Sequence, residues 1–407
     1  MTTRRAFLQT SAALGAVTVG LPRVRATGAT DALNVGVIGC GNRAKSIVRE
    51  LLKLNQNVVA LCDVAEFRLT VMQKQLADAG RDEARAFGDY RKLLDVKALD
   101  AVAICTPDHL HKEHLVAAMA ADKHAYVEKP LTKSIDEGVE MVDAVRKAKK
   151  VVQVGNQRHS GPHWEEAAKA VRGRGFGKLV WAKVWDCREW TRTDPFAVPA
   201  SFKFDAKKLD WEAFLGAAPK RPFDAHRYWA WRWYWDYAGG LMTDIGAHQL
   251  DLVAWLGGVD VPKSAVANGG RYYFDKWETP DVVHGAFDYG KFAANFAVQF
   301  VNAADGVGAA FYGTKQTLLC DAERDIRLYD TAGKITPDTV PVQTWKVEPE
   351  TPLHVANWVE CVKSGEEPNA PVELGHRVAL AAHLANLSYR TGKKIFWDAD
   401  RNEIIGS

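Results

Sequence analysis

The sequence predicts an α/β domain built on a doubly wound parallel sheet, followed by an α+β domain with an open, mainly antiparallel sheet. Three observations carry this. Short apolar runs rich in branched residues recur at Asn34 to Ile38, Asn57 to Cys62, Ala101 to Cys105, His124 to Val127 and Val151 to Val154, separated by helical patterns. A glycine-rich turn, Gly39-Cys40-Gly41-Asn42-Arg43-Ala44, closes the first run. After Gly155 the periodicity changes to alternation, at Lys178 to Cys187, Ala265 to Phe274, Val282 to Tyr289, Phe292 to Val301, Val307 to Tyr312 and Gln316 to Leu328.

The chain begins with a segment set apart from both domains. Thr3-Arg4-Arg5-Ala6-Phe7-Leu8-Gln9 precedes an apolar run from Ser11 to Leu21, and small residues surround Val24-Arg25-Ala26. This is the pattern of a twin-arginine export signal, so residues 1–30 are read as signal and linker, and the mature chain is expected in the periplasm or secreted. The run is too short to span a bilayer, and no later run approaches that length, so no permanent membrane anchor is expected. Removing the segment takes four arginines and no acid, which leaves basic residues one short of the 50 acidic ones. Basic residues are nowhere clustered with aromatics, which argues against nucleic acid as a partner. The six cysteines have neither metal nor redox spacing and read as buried free thiols.

The expected domains are residues 31–155 and 156–407. In the first, Ile47, Val48, Leu51, Leu52 and Leu54 form one stripe of a helix after the glycine turn. Gly39 permits the tight turn, Gly41 lets backbone amides approach a pyrophosphate, and Ala44 keeps helix and strand close. Asn42 and Arg43 at the helix start are further candidates for contact. Asp63 follows Gly41 by 22 residues at the end of the second strand, where a carboxylate binds adenosine ribose hydroxyls. Strand, turn, helix, strand and acid in that order predict a dinucleotide site, and Asp63 favours NAD over NADP. The run from Ala101 ends in Thr106-Pro107-Asp108-His109-Leu110-His111, at the sheet edge where ligands bind, which makes Thr106, Pro107 and His111 candidates on the nicotinamide side. Tyr126-Val127-Glu128-Lys129-Pro130 then sets a lysine at the end of the next strand.

The glycine turn at Gly39, the Thr-Pro-x-x-x-His at Thr106 to His111 and the Glu-Lys-Pro at Glu128 to Pro130 together resemble the Gfo/Idh/MocA family of sugar and cyclitol oxidoreductases. The resemblance runs over essentially the whole mature chain. It implies a role for Lys129 at the reacting oxygen, and it carries over to Gly239 to Asp251, where Asp244 and His248 stand four apart. If Leu241 to Leu256 is one helix, the two share a face and present an acid and a histidine to a substrate hydroxyl. The same pair would suit a metal, but no third ligand completes a site, so none is expected. Glu128 is read as the carboxylate that orients Lys129 or touches the nicotinamide end. The family's open sheet is usually covered by self-association, which implies a homodimer or homotetramer.

The insertion between Cys187 and Gly239 holds the most distinctive composition. Of 14 tryptophans, eight lie from Trp181 to Trp235, and Trp229, Trp231, Trp233 and Trp235 alternate. If this stretch is extended, these four share a face, either as a platform for sugar rings or as filling for a core or subunit interface. Trp231 and Arg232 here, with Gln157 and Arg158 just past the fifth strand, are the candidate substrate contacts. Two helical stretches, His354 to Lys363 and Glu373 to Tyr389, close the chain.

Export constrains the chemistry, because free coenzyme is scarce outside the cytoplasm. A cofactor loaded before export has to stay tightly bound and be returned to its starting state. The first expectation is therefore an oxidoreductase acting on a sugar with a retained nicotinamide cofactor. The second, matching NAD-dependent glycosidases of the same family, is redox-neutral hydrolysis through transient oxidation at C3, elimination, water addition and reduction.

Overall fold

The branched apolar runs of the first half become strands because both faces of each are buried. β1 (Asn34–Ile38), β2 (Asn57–Cys62), β3 (Arg85–Phe87), β4 (Ala101–Ile104), β5 (His124–Val127) and β6 (Val152–Val154) form a parallel sheet in the order β3-β2-β1-β4-β5-β6. The computed structural model describes residues 32–405 except 193, 197, 199–204 and 322–323, so the export-signal segment lies outside the described residues. β3 was not legible in the sequence because Arg85-Ala86-Phe87 is a largely exposed edge with no apolar run. Helices cover both faces of the sheet. Val35, Val37 and Leu61 pack with Ile47, Val48 and Leu51 on one side, and Ile38, Val102 and Ile104 pack with Leu115, Met119 and Met141 on the other. The strand order reverses direction between β1 and β4, and ligands bind this fold at such a switch point.

The second half forms one sheet from β7 (Leu179–Cys187), β8 (Ser264–Gly270), β9 (Val282–Asp288), β10 (Ala293–Gln299), β11 (Val307–Gly313), β12 (Thr317–Asp321), β13 (Asp325–Tyr329), β14 (Gln343–Lys346), β15 (Ile395–Asp398) and β16 (Glu403–Ile404). Among the described residues its order is β14-β13-β12-β11-β7-β10-β9-β8-β15-β16. Every pair is antiparallel except β7 with β10. The stretch expected as one strand from Gln316 to Leu328 is the pair β12 and β13, with Leu318 opposite Leu328. The inner face packs on helices Pro162–Arg172, Gly246–Gly257 and Val372–Thr391. The opposite face carries Trp181, Lys183, Asn295, Ala286 and Val266 in register across β7, β10, β9 and β8, and Trp181 stacks on Tyr312 there at 4.8 Å.

The two halves interleave rather than simply follow one another. Helix Glu350–Ser364 inserts Val355, Trp358, Val359 and Cys361 into the core of the first sheet. Helix Val372–Thr391 reaches both cores, with Val372 in the first and Leu380, Ala381, Ala382, Leu384 and Ala385 in the second. Burial of this extent fixes how the strand ends of one half face the helices of the other. Among the described residues no helix is long and apolar enough to cross a membrane, and all six cysteines are free.

Candidate active site

The glycine turn opens a cavity of about 970 Å³ along the carboxyl ends of β1, β2 and β4. Gly39 has a φ of +85°, and a Cβ there would come within 2.8 Å of the backbone of Cys105 and Thr106. Gly41 differs: a Cβ there would meet nothing within 4 Å, because it would project into the cavity that Gly39, Gly41, Asp63, Thr106 and Pro107 line. Helix Asn42–Lys53 starts directly behind, so its free amides face this space, as anion binding requires. Asp63 accepts Cys40 N–H at 2.7 Å and Ala65 N–H at 2.9 Å. Burial pushes its carboxyl pKa up, against these two amides and Arg68. The residues therefore fit a dinucleotide, with the diphosphate on the turn and a ribose at Asp63.

Three residues expected beside the cofactor stand elsewhere. Asn42 is exposed at the helix start and accepts from Lys45 Nζ at 3.4 Å. Arg43 turns under the sheet edge, where its Nε donates to Glu128 Oε1 at 2.6 Å and its other nitrogens to Tyr126 and Thr351. His111 is buried, with Nδ1 at 2.9 Å from Pro130 O and Nε2 at 2.9 Å from Thr106 O, so it ties the loop after β4 to the turn after β5. Sequence position put these residues near the site, but only packing decides which way a side chain turns.

Lys129 leaves β5 immediately after Glu128, whose Oε2 accepts the Lys129 N–H at 3.2 Å. Glu128 is buried, and burial opposes its charge, but Arg43 and the Tyr126 hydroxyl hold its pKa below the usual value. Tyr126 lies two residues before Glu128 on the same strand face and donates to Oε1 at 2.9 Å. Held in this way, Lys129 Nζ donates to Asp244 Oδ1 at 2.9 Å and to Asp244 O at 2.7 Å.

That second bond exists because the expected helix from Leu241 to Leu256 is broken. It is two helices, Gly240–Asp244 and Gly246–Gly257, with His248 N–H bonded to Ile245 O rather than to Asp244 O. The tightened turn releases the Asp244 carbonyl to Lys129. Burial opposes the charge on Asp244, but Lys129 and then Arg232 keep its pKa well below the ordinary carboxylate range. Burial, then Lys129 and Arg158, push the His248 pKa well down, so its imidazole is neutral. Arg158 donates to His248 O at 2.9 Å and to Gln249 Oε1 at 3.4 Å. The neighbouring Gln157 has a buried Oε1 without a partner among the described residues.

The four alternating tryptophans do not share a face. Ala225–Trp229 is helical and Trp231–Trp233 is a 3-10 turn, so the extended reading fails. Trp233 is buried against Trp277 with ring centroids 3.9 Å apart, and Trp235 donates to Glu278 O. Trp229 stacks on Phe67 at 5.8 Å, while Trp231 lines the cavity with its ring beneath the Arg232 guanidinium at 4.2 Å. Arg232 Nε lies 3.4 Å from Asp244 Oδ1. Trp231 and Arg232 thus join the cavity to the Lys129 and Asp244 pair. The insertion is also a cavity wall, marked in the sequence by the density of aromatics near Phe214 and Trp229 opposite Phe67.

Profiles of one family match nearly all of the described chain. They are described as an oxidoreductase family NAD-binding Rossmann fold, over residues 33–156, and as its C-terminal alpha/beta domain, over 141–268 and 218–396. The chain belongs to the Gfo/Idh/MocA oxidoreductase family. It is 32% identical to the uncharacterized oxidoreductase YrbE of Bacillus subtilis, over 57% of this chain and 56% of YrbE. It is 34% identical to glycosyl hydrolase family 109 protein 2 of Shewanella sp. strain ANA-3, over 34% of this chain and 36% of that protein. The chain thus spans about half or less of the length of these curated relatives. Levoglucosan dehydrogenase, solved with NADH and levoglucosan, superposes with a TM-score of 0.69 at 19% identity, covering 89% of this chain and 99% of that one. At this identity the likeness is one of fold.

Proposed function

We propose that this chain is an exported oxidoreductase that moves hydride between a tightly held NAD and the hydroxyl or carbonyl of a sugar or cyclitol. The observation that carries the reading is the Lys129 to Asp244 pair at 2.9 Å, linked through Arg232 to Trp231, which lines the cavity. When bound, the nicotinamide supplies the hydride acceptor or donor. Lys129 handles the proton. Two of its donor directions are fixed by Asp244, and the third is left for the reacting oxygen: as ammonium it protonates a carbonyl under reduction, and as amine it takes the hydroxyl proton under oxidation. The ionised Asp244 orients the amine, and the neutral His248 is an acceptor or donor for a neighbouring hydroxyl.

Tight retention is supported by how the insertion is fastened over the cavity. Asp210 N–H donates to Val64 O at 2.8 Å, Leu209 bridges Ala65, and Lys208 Nζ pairs with Glu66 at 3.0 Å. These ties hold Phe214 and Trp229 against the loop that carries Asp63. Asp63 at the cavity wall favours NAD over a 2'-phosphorylated coenzyme by charge repulsion. Twin-arginine export and self-association through the face bearing Trp181 complete the proposal. Replacing Arg4 and Arg5 by lysine is expected to stop export, and light scattering of the mature chain is expected to give a dimer or tetramer.

A second reading, redox-neutral glycoside hydrolysis on the same residues, is favoured by the similarity to the family 109 glycosyl hydrolase. One experiment separates the two. The mature protein is purified without added coenzyme, and its near-ultraviolet absorbance is followed while free aldoses and, separately, glycosides are added. Reduction by one sugar and reoxidation by a second supports the oxidoreductase. Cleavage of glycosides with no net change, and no response to free sugars, replaces it with the hydrolase.

A further inference from the structure

Arg232 belongs to the insertion, and its surroundings are more specific than a substrate wall requires. Its guanidinium lies between two rings, 4.2 Å from the centroid of Trp231 and 4.6 Å from that of Phe196. Both sides of this sandwich are anchored. Asp194, two residues before Phe196, accepts from His226 Nε2 at 2.8 Å and from Trp277 Nε1 at 3.0 Å, and Trp233 Nε1 donates to Pro195 O at 3.1 Å. Stacking covers the faces of the guanidinium and leaves its edge to make bonds.

That edge is largely unspent. Arg232 Nε approaches Asp244 Oδ1 at 3.4 Å, and among the described residues Arg232 has no other ion pair or hydrogen bond. The same carboxylate oxygen already accepts Lys129 Nζ at 2.9 Å. One carboxylate therefore faces two cations. Arg158, close by, donates to His248 O and Gln249 Oε1, and Glu350, Asp251 and Asp186 are its acidic neighbours. Asp108 is buried at 2% exposure, and burial and then Asp244 push its carboxyl pKa up. Lys129 and Arg232 share the Asp244 carboxylate, and the guanidinium reaches it only at 3.4 Å, so Arg232 keeps charged donors for what binds there.

We propose that Arg232 recognises a carboxylate, and that the substrate is an acidic carbohydrate such as a uronate or a glycoside of one. The planar fork of an arginine matches a carboxylate with two parallel bonds, which a neutral hydroxymethyl group cannot reproduce. The inference rests on the reading of this site as one for carbohydrates and names the class. The dinucleotide's own phosphates are accounted for separately, on the turn at Gly39 and Gly41.

The test is direct binding to the purified enzyme with the cofactor it retains, by titration calorimetry or by quenching of tryptophan fluorescence. Glucuronate, galacturonate and gluconate are each compared with the corresponding amide, which keeps the shape and removes the charge. At least one acid is expected to bind about tenfold or more tightly than its amide, the value of a hydrogen-bonded charge. That ratio is expected to fall towards one in Arg232→Gln and to recover partly in Arg232→Lys. Equal affinity for acid and amide across the panel in the unaltered enzyme overturns the inference and needs no variant to fold. Tighter binding of glucose 6-phosphate than of any uronate overturns the choice of a carboxylate. Cofactor absorbance is read in the same samples: binding of a uronate without reduction defeats the oxidoreductase reading and leaves this one standing. Reduction by neutral aldoses with no preference for acids does the reverse.

Discussion

Lys129 Nζ is bonded twice to Asp244, to the side-chain Oδ1 at 2.9 Å and to the backbone oxygen at 2.7 Å. The second bond is possible only because the helix is interrupted at Ile245, so Lys129 meets a backbone break as well as a carboxylate. An ammonium anchored at two points keeps one direction of approach, and that direction is what a proton transfer to a substrate oxygen needs.

Removing the amine is therefore expected to damage chemistry rather than cofactor binding. Lys129→Ala should lower the rate of cofactor reduction by about 10²- to 10⁴-fold, the range for a lost general acid or base. The bound cofactor should be retained, because Lys129 does not line the cavity. Asp244→Asn keeps both acceptors but loses the charge, so a smaller loss of about 10- to 100-fold is expected. Single-turnover absorbance measurements on the two variants check this. A Lys129→Ala enzyme with full activity would remove the lysine from the mechanism.

The two glycines of the turn should fail differently. Gly39→Ala puts a Cβ on a residue at φ +85° and against the backbone of Cys105 and Thr106, so a loss of about 1 to 3 kcal/mol in stability is expected from backbone strain alone. Gly41→Ala sets its Cβ in open space and should leave the folded chain within about 0.5 kcal/mol of the original. Its effect should be on the cofactor, whose phosphates need that space. Melting curves with and without added NAD separate the two, and equal behaviour of both variants would count against the cradle.

How far this was legible follows from which residues act through type and spacing and which through packing. The strands β1, β2 and β5 have the expected boundaries, because a run buried on both faces must be continuously apolar. Asp63 and the glycines are set by local chain geometry, so spacing found them. Arg43 and His111 are adjacent to the right motifs, yet Arg43 turns to Glu128 and His111 to Thr106 and Pro130, because buried polar groups need partners that lie far away in sequence. The tryptophan alternation misled for a related reason. Period two is a strand signal only if the backbone is extended, and here capping by Asp224, which accepts from His226 N–H at 2.8 Å and Arg227 N–H at 3.0 Å, starts a helical turn instead.

The hold on the cofactor proposed for the insertion is testable at one contact. Arg68 lies 4.5 Å over Trp229 and 4.9 Å over Phe67, which ties the insertion to the loop after Asp63. Phe67→Ala should remove the stack under Trp229 and one side of this contact, for about 1 kcal/mol beyond lost area. Cofactor release should quicken by about tenfold or more, seen as cofactor lost during gel filtration that the unaltered enzyme keeps. Unchanged retention would mean that the wall does not govern release.

Glu128 is expected to matter for stability before it matters for rate. It neutralises Arg43 at 2.6 Å, and Gly155 leaves it only enough room to lie flat, since a Cβ there would meet its carboxylate at 2.8 Å. Glu128→Gln strands a largely buried guanidinium. A cost of about 2 to 4 kcal/mol is expected, less than for a wholly enclosed pair because Arg43 keeps 27% of its side-chain exposure. The double variant Arg43→Met with Glu128→Gln should recover a substantial part in urea denaturation. If it recovers nothing, the loss lies in the bond from Glu128 to Lys129 N–H or to Tyr126 instead.

Acid should weaken the fold well before its carboxylates are protonated. Burial holds the pKa values of His109, His354 and His383 at about 4 and that of His114 at about 3. An unfolded histidine titrates near 6.5. Above that pH these groups are neutral in both states and their contribution is complete. As pH falls from about 6.5 towards 4, the unfolded chain takes up protons that the native one refuses, so stability drops by about 1.4 kcal/mol per pH unit for each group. Asp108 works in the opposite sense: its raised carboxyl pKa lets the native state bind a proton first, which offsets part of this loss. A clear net loss remains, and urea midpoints should fall steadily between pH 7 and pH 5. His383 bonds to Thr132 through Nε2 at 3.1 Å, and His383→Gln can keep such a bond without titrating, so it should make that slope visibly shallower. Stability independent of pH over this range would show that these histidines are not held neutral by the fold.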